Sequence, residues 1–398
     1  MPYRTKNVVL LTLAGALALS TAPLVVFVGG LVGAMLAPTA ALATLPVALL
    51  VVGTASAVMP VAWSMQRFGR KSVFLASAGF SMLGAIAAAY AISKQSFMLF
   101  NLAVVVLGAG LAVVQQFRFA AMESVAVSQH SQAASFVLLG GLVAAFLGPE
   151  VGTIGRNWLA AEYGGSFLLL AGVLALSIPV LMAYTPNPAQ AENRLTNTNA
   201  RPLKEIAKQH VFWVAIGAGA IGYAVMSFVM TATPISMHHE IGHSIEDTKW
   251  VIQTHIMAMY LPSFFSGMLI QKFGHKRLMI AGIIAFVFSI VIAYSGAALS
   301  HFYSSLILLG VGWNFLFVSG TSLLPYAYRE SERFHVQGLN DFSVFGLQAI
   351  AALSSGIVVF QFGWGVLLLL ALPILVIQIM LLVTWSPNKP QDSQQAHG

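Results

Sequence analysis

Long apolar stretches alternate with short polar segments along nearly the whole chain. A helix needs about 20 apolar residues to cross the hydrocarbon core of a bilayer, because each residue adds only about 1.5 Å of rise. Windows of that length predict twelve spans joined by short connections. The spans lie near residues 8–36, 41–65, 73–93, 97–119, 133–155, 165–185, 211–236, 250–270, 278–297, 303–325, 340–360 and 364–386.

The longest polar stretch divides the twelve spans into two sets of six. Residues 186–209 combine proline, asparagine and charge, which is typical of a solvated linker. The first apolar stretch is too long for the hydrophobic region of a signal peptide, so it is interpreted as the first helix. The predicted organisation is an N-terminal six-helix bundle over 1–185, the linker over 186–209, a C-terminal six-helix bundle over 210–386 and a tail over 387–398.

Short motifs recur across this linker at a nearly constant offset. Residues 66–71 (QRFGRK) return as 271–276 (QKFGHK), and residues 120–124 return as 327–331. Matched segments in both halves indicate a duplicated unit with parallel repeats. The predicted fold class is therefore an all-α membrane protein, with twelve transmembrane helices in two pseudo-symmetric six-helix bundles.

The composition excludes most soluble classes of protein. Of the 398 residues, 58% are hydrophobic and only 8% are charged, whereas average globular chains are about 25% charged. With a mean hydropathy of +0.84, an ordinary soluble domain, a disordered chain and a coiled coil are all ruled out. Cysteine is absent, so a site for a soft metal would have to be built from methionine and histidine.

The positions of the charges predict an orientation in the membrane. With both ends inside, 16 of the 19 Lys and Arg residues fall in cytoplasmic segments, and only Lys94, Arg156 and Lys249 fall outside. We therefore expect a multi-pass protein of the bacterial inner membrane, embedded in the lipid bilayer with both termini cytoplasmic. The basic charge then needs no nucleic-acid partner. No nucleotide-binding loop or nucleophile–base pair stands out, so neither an enzyme nor a permanently bound cofactor is expected.

The repeated loops resemble a signature of the major facilitator superfamily. Residues 267–276 (GMLIQKFGHK) are similar to its pattern G-x-L-x-D-R-x-G-R-R/K, although both copies have Gln in place of Asp, and Ala62 replaces the leading glycine of the first copy. The resemblance covers the whole chain and implies a monomer that works by alternating access. The loop positions expected to fix topology and gate packing are Gln66, Arg67, Gly69, Arg70, Gly267, Gln271, Gly274 and Lys276.

Few ionisable side chains fall within the predicted spans. Residues 148–152 (GPEVG) resemble the antiporter motif G-P-x-x-G of the same superfamily, and Glu150 in this motif is a candidate for proton coupling or a partner of Arg156. Arg118 lies near the inner end of the fourth span. Its side chain is expected either to line a cavity or to extend to the interface between membrane and water. Asp341 is expected to be a solvated or capping residue at the mouth of the eleventh span.

Methionine and histidine pairs in the second half suggest a soft-metal site. Met226 and Met230 share one face of the seventh span, and His255 and Met259 share one face of the eighth. Each pair alone is expected by chance in a chain of this composition, but together on adjacent helices they suit a cation such as Cu(I). Candidates for capture of the metal on the external loop are Met237, His238, His239 and His243.

The same four residues resemble the signature of the CcoA-type copper importers, a branch of that superfamily. The resemblance implies that Met226, Met230, His255 and Met259 relay copper, as transported substrate, into the cytoplasm for assembly of cbb3-type cytochrome oxidase. Copper import is therefore the leading prediction, and a copper-binding sensor that transports nothing is one rival. The other is a carrier of a small organic solute, by riboflavin import or drug/proton antiport. Transport would then depend on Trp63, Asn101, Gln116, Phe117, Asn314 and Gln348.

Overall fold

The computed structural model describes residues 3–39, 42, 45–186 and 200–386, and these residues form helices and turns without a strand. Twelve helices, numbered in chain order, follow the predicted spans. They are α1 (Tyr3–Leu19, continued by Thr21–Leu24, a π-helical turn Val25–Gly29 and Gly30–Leu36), α2 (Leu45–Phe68), α3 (Arg70–Ser93), α4 (Phe97–Val114, continued by Phe117–Met122), α5 (His130–Ile154), α6 (Gly164–Met182), α7 (His210–Ile235, followed by a π-helical turn Ser236–Ile241), α8 (Ile245–Tyr260 and Ser263–Phe273), α9 (His275–Ser295), α10 (Leu299–Leu323), and α11 and α12 (the two parts of Arg333–Thr384, separated at Gly363).

Within the described residues, eleven stretches are long, continuous and apolar enough to cross a membrane. The one predicted span that is missing from these eleven is the eighth, α8, which is interrupted at Leu261 and Pro262. Proline has no backbone N–H to donate to the preceding turn, so the regular hydrogen-bond ladder stops there. The break divides α8 into an outer part, Ile245–Tyr260, and an inner part, Ser263–Phe273.

The two halves repeat the same contacts at the offset found in the sequence. Nζ of Lys71 donates to the carbonyl oxygen of Met182, 2.6 Å away at the end of α6, and Nζ of Lys276 donates to that of Trp385, 2.6 Å away after α12. A cation at the carboxyl end of a helix neutralises unpaired carbonyl groups there. The repeated basic residues thus have the same structural task in both halves.

Residues 187–199 of the predicted linker and the whole predicted tail, 387–398, lie outside the described residues. The end of the linker is held against the second half. The backbone N and guanidinium group of Arg201 donate to the carboxylate of Glu332 over 2.7–2.8 Å.

The halves pack closely where α5 meets α8 and where α2 meets α11. A Cβ atom at Gly267 of α8 would lie 2.8 Å from Cα of Gln132 in α5, and one at Gly338 would lie 2.7 Å from Cβ of Ala62 in α2. Small residues let helix backbones approach in a membrane, where packing drives association. Gly267, predicted as a loop-signature position, is therefore a contact between the two halves.

Candidate functional site at the junction of the two halves

A buried ion pair joins the two halves. Nη2 of Arg118, at the end of α4, donates to Oδ1 of Asp341 in α11, and both side chains are at most 2% exposed. Asp341 also accepts from Nε2 of Gln116 (2.6 Å) and from Nδ2 of Asn340 (2.9 Å). The expectation that Asp341 is a solvated or capping residue is therefore wrong, because its carboxylate is enclosed by donors from both halves.

A second ion pair extends this network. Nε of Arg70 donates to Oε2 of Glu123 over 2.9 Å, and its Nη1 reaches Oε1 of Gln116 over 3.2 Å. Nη2 of the same guanidinium group donates to Oε1 of Gln337 in α11, 2.6 Å away. Arg70 thus links its own half to the other, and Gln116 connects the two ion pairs into one buried network that contains two positive and two negative charges.

The pKa of Glu123 lies below its usual value. Burial alone would raise the pKa of this carboxyl group, but the nearby positive charges of Arg70 and Arg333, with hydrogen bonds from Arg70 and Gln337, outweigh that effect. Glu123 is therefore ionised at neutral pH and holds the guanidinium group of Arg70 in place.

Hydrogen bonds between α5 and α8 close the same end of the molecule. Nε2 of Gln132 lies 2.9 Å from Oε1 of Gln271, whose own Nε2 donates to the carbonyl oxygen of Ser128 over 2.5 Å. The hydroxyls of Ser135 and Ser266 lie 3.2 Å apart further along. The described hydrogen bonds between the halves all lie at the end that carries the repeated basic loops, which we call the basic end, so the junction is closed there.

Five aromatic side chains from four helices of the second half pack beside this network. The ring of Tyr223 in α7 lies 5.1 Å from the rings of Trp313 and Phe317 and 5.5 Å from that of Phe345, in edge-to-face contacts. Tyr260 of α8 lies 5.7 Å from Trp313. We call these five residues the junction aromatic cluster. Their rings pack against one another in the edge-to-face and stacked arrangements that aromatic side chains prefer.

The aromatic cluster and the ion pair are parts of one site. The guanidinium carbon of Arg118 lies 4.6 Å from the ring centroids of Phe119 and Phe317, a cation–π arrangement. Tyr260 reaches the first half, since a Cβ atom at Gly141 of α5 would overlap its ring. Ring faces and charged groups thus lie side by side where the two halves meet.

The predicted copper ligands lie inside the second half. His255 is fully buried, and its Nδ1 lies 2.7 Å from the carbonyl oxygen of Leu306 in α10. Met226 and Met259 are buried, whereas Met230 is half-buried. Across the described residues, no group of three or more His, Asp or Glu side chains is arranged to hold a metal ion.

The predicted external capture residues have structural contacts where the structure describes them. Met237 is fully buried, and Nε2 of His243 lies 2.8 Å from the carbonyl oxygen of Ala297. The side chains of His238 and His239 lie outside the described part of the structure.

Glu150 is exposed on α5. Arg156, its predicted alternative partner, instead donates from Nε to Oε1 of Glu162 over 2.6 Å. A role of Glu150 in proton coupling stays a prediction.

The residues predicted for an organic solute occupy very different positions. Gln116 belongs to the buried network, and Asn314 donates to the carbonyl oxygen of Met259 across the break in α8. Phe117 packs 4.7 Å from Phe74 within the first half. The remaining three lie elsewhere: Asn101 bonds within its own helix, Trp63 is exposed and Gln348 is half-buried.

Sequence reasoning missed the pairing of Arg118 with Asp341 and the aromatic cluster. One signal was available for the pair, because an arginine and an aspartate within apolar spans each need a partner of opposite charge. The aromatic residues carry no such signal, since rings within apolar spans are ordinary.

Comparison with known proteins places the chain in a family. The model of the Major Facilitator Superfamily matches residues 8–244 and 217–398. The riboflavin transporter RfnT of Brucella anthropi is 38% identical over 380 residues, 95% of each chain. The uncharacterised MFS-type transporter YddS of Bacillus subtilis is 30% identical over 346 residues, 82% of this chain and 78% of that protein.

Solved structures share the same architecture. A bacterial homologue of the iron transporter ferroportin, in an outward-facing state, aligns with a TM-score of 0.73 at 13% identity, covering 96% of this chain and 100% of that one. At this identity the likeness shows the fold alone. The predicted fold class, with twelve helices in two six-helix bundles, is confirmed.

The prediction of copper import is wrong, and with it the link to cbb3-type oxidase assembly. The relative that is 38% identical across 95% of the chain is named for riboflavin and supports the organic-solute alternative. Spacing at i,i+4 places two side chains on one helix face, but it carries no information on which solute a carrier transports. The His255 imidazole, the strongest element of the metal prediction, is bonded to the α10 backbone through Nδ1.

Proposed function

Because the chain belongs to the Major Facilitator Superfamily, we propose that it is a secondary transporter that imports riboflavin across the bacterial inner membrane. The similarity to the riboflavin transporter of Brucella anthropi over 95% of both chains is the observation that carries this proposal. Such coverage includes every helix that borders the junction site.

The chemistry of the junction site fits a flavin. Riboflavin has a flat, three-ring isoalloxazine system and a ribityl chain with hydroxyl groups. The junction aromatic cluster offers edge and face contacts for the rings. Arg118, Asp341 and Gln116 offer charged and amide groups for hydroxyls at the same junction.

The conformation indicates how the cycle runs. The basic end is closed by the network around Arg70 and Arg118, and the charge distribution predicts that this end faces the cytoplasm. Closure at the basic end favours loading of the substrate from the outside. Release inward requires the halves to rock apart at the basic end, which exchanges the Arg118–Asp341 contact for water.

Uptake of labelled riboflavin by a riboflavin-auxotrophic bacterium without its own importer tests the proposal. Expression of the chain should give saturable uptake and restore growth at low external riboflavin. Copper accumulation, measured in the same cells, should stay at the level of the empty vector. Absence of riboflavin uptake at a verified level of protein in the membrane would overturn the proposal, and competition by drug-like solutes would then be screened.

A further inference from the structure

Three polar side-chain atoms without a hydrogen-bond partner among the described residues lie where α8 and α10 cross. They are Nε2 of His255, Nε1 of Trp313 and Oδ1 of Asn314, and all three side chains are 0% exposed. The crossing centres on Gly310, where a Cβ atom would lie 2.8 Å from the carbonyl oxygen of His255. Buried polar atoms normally have hydrogen-bond partners, so three unpaired atoms at one helix crossing require an explanation.

The hydrogen bonds that these side chains do make define what each free atom can do. Nδ1 of His255 faces the carbonyl oxygen of Leu306, which can only accept, so Nδ1 carries the proton and Nε2 of the neutral ring is a free acceptor. Nδ2 of Asn314 donates to the carbonyl oxygen of Met259 (2.8 Å) and to Oγ of Ser263 (2.7 Å), which leaves Oδ1 as a second acceptor. Nε1 of Trp313 is only a donor.

The equivalent crossing in the first half shows that packing does not require these polar groups. There, α2 and α4 meet at Gly108, where an added Cβ atom would overlap the carbonyl oxygen of Leu50. Leu50 and His255 are separated by the offset of 205 that relates the two copies of the basic loop. In α4 and α10 the matched glycines Gly108 and Gly310 give an offset of 202, so Trp313 and Asn314 correspond to Leu111 and Ala112. The three positions that are polar in the second half are therefore apolar in the first.

We propose that the α8–α10 crossing recognises the hydrogen-bonding edge of a planar heterocyclic substrate, with Nε2 of His255 accepting from a ring N–H and Nε1 of Trp313 donating to the adjacent carbonyl oxygen. This inference rests on the proposed function and deepens it. In riboflavin the matching edge is N3–H, which lies between two ring carbonyl groups. Trp313 also belongs to the junction aromatic cluster, so stacking and edge recognition address the same ring system.

The free polar atoms at the α8–α10 crossing are covered in the present conformation. The substrate must therefore reach them as the helices around the junction aromatic cluster separate. A site built to pair with a substrate N–H rejects an analogue that lacks it, because the acceptor is then buried without a partner. Recognition at N3 is therefore the property that distinguishes this site from a purely apolar stacking surface.

Transport of riboflavin and of N3-methylriboflavin, by wild type and by His255→Leu, tests the inference. Leucine occupies the equivalent position 50, so the substitution suits the crossing, and the carbonyl oxygen of Leu306 keeps its own helical bond. Wild type should have a KM about tenfold lower for riboflavin than for the N3-methyl compound, as expected for one hydrogen bond. His255→Leu should raise the KM for riboflavin about tenfold and abolish the discrimination.

A matched control is His301→Leu. His301 also has a buried nitrogen without a partner, Nδ1, but lies at the beginning of α10, away from the crossing. Its replacement should leave discrimination at N3 unchanged. Trp313→Phe keeps an aromatic ring while removing the donor, and should raise the KM for riboflavin even if His255→Leu does not fold.

The results separate the two proposals. Riboflavin uptake without discrimination at N3 in the wild type would overturn the edge-recognition site and leave the proposed function standing. Discrimination that persists in His255→Leu would likewise overturn the assignment of that acceptor. If wild type transports no flavin at all, the proposed function fails, and the substrate edge assigned here fails with it.

Discussion

At the scale of single residues, the charges of Arg118 and Asp341 matter most because they are buried on different halves. Removing one partner of a buried ion pair leaves an uncompensated charge, which costs about 3–5 kcal/mol, whereas removing both costs less. Asp341→Asn keeps the shape and the contact with Asn340 while deleting the negative charge. This asymmetry makes the pair suitable for a double-mutant cycle.

We expect Asp341→Asn and Arg118→Gln each to lower the thermal unfolding temperature of the purified protein and to reduce riboflavin uptake at least tenfold. The double variant should be more stable than the sum of the single losses predicts, because no unpaired charge remains. Thermal unfolding in detergent, with uptake measured at matched expression, provides the test. Additive losses in the double variant would show that the two charges are not coupled.

The lowered pKa of Glu123 predicts that the stability of the folded protein depends on pH. Its folded pKa lies below the usual value of 4.5, so the folded state binds fewer protons than the unfolded state as the pH falls toward that range. The contribution of Glu123 is therefore fully present at neutral pH, and is lost as the pH falls from about 4.5 through the lowered folded pKa.

Unfolding temperatures measured from pH 7 down to pH 3 should decrease more steeply for wild type than for Glu123→Gln below pH 4.5. The variant cannot bind this proton, so it lacks that part of the acid dependence, although it is less stable at neutral pH. Parallel curves for the two proteins at low pH would contradict the role assigned to Glu123.

At the scale of helices, the positions of the spans could be predicted from the sequence because about 20 apolar residues in a row have few other uses. The break in α8 could not, since a window of hydropathy averages over Pro262 and records only apolar length. For Arg118 and Asp341 the sequence signals that each charge needs a partner, but the spacing of residues on one helix does not show how the two halves dock and so does not identify that partner.

The break in α8 lies between two close backbone contacts, one with α10 and one with α5. The outer part meets α10 at Gly310 within the second half, whereas the inner part meets α5 of the first half through Gly267. Nδ2 of Asn314 bonds to a carbonyl group just before the break and to Ser263 just after it. We infer that the inner part turns relative to the outer part when the basic end opens.

Pro262→Ala should restore a backbone N–H at the break and raise the thermal unfolding temperature, since proline costs up to about 3 kcal/mol in a helix interior. If the break acts as a hinge, the maximal rate of riboflavin uptake should fall several-fold while the KM changes little. Pro179→Ala in the continuous helix α6 is the control, and it should change stability without slowing transport. An unchanged maximal rate for Pro262→Ala would rule out the hinge.

At the scale of the whole molecule, stability and function depend on how tightly the two halves close at the basic end. Three sets of contacts hold that end: the buried ion-pair network, the α2–α11 approach at Gly338 and the α5–α8 approach at Gly267. The network depends on buried charges, whereas the glycine contacts depend only on the absence of a side chain. A bulky residue at a glycine contact should therefore shift the conformational equilibrium without altering a charge.

Gly267→Leu should act as a wedge, because even a Cβ atom there would lie 2.8 Å from the α5 backbone. The population should move toward the state open at the basic end, so that riboflavin added from outside binds more weakly and uptake falls. The chain contains no cysteine, so paired cysteines introduced at the exposed Val127 and Arg277 can be spin-labelled without background. The label–label distance distribution should shift to longer values in Gly267→Leu. Gly172→Leu, at a glycine with open space around it, should leave both the distances and the uptake unchanged, and a wedge variant with the wild-type distribution would refute closure through this contact.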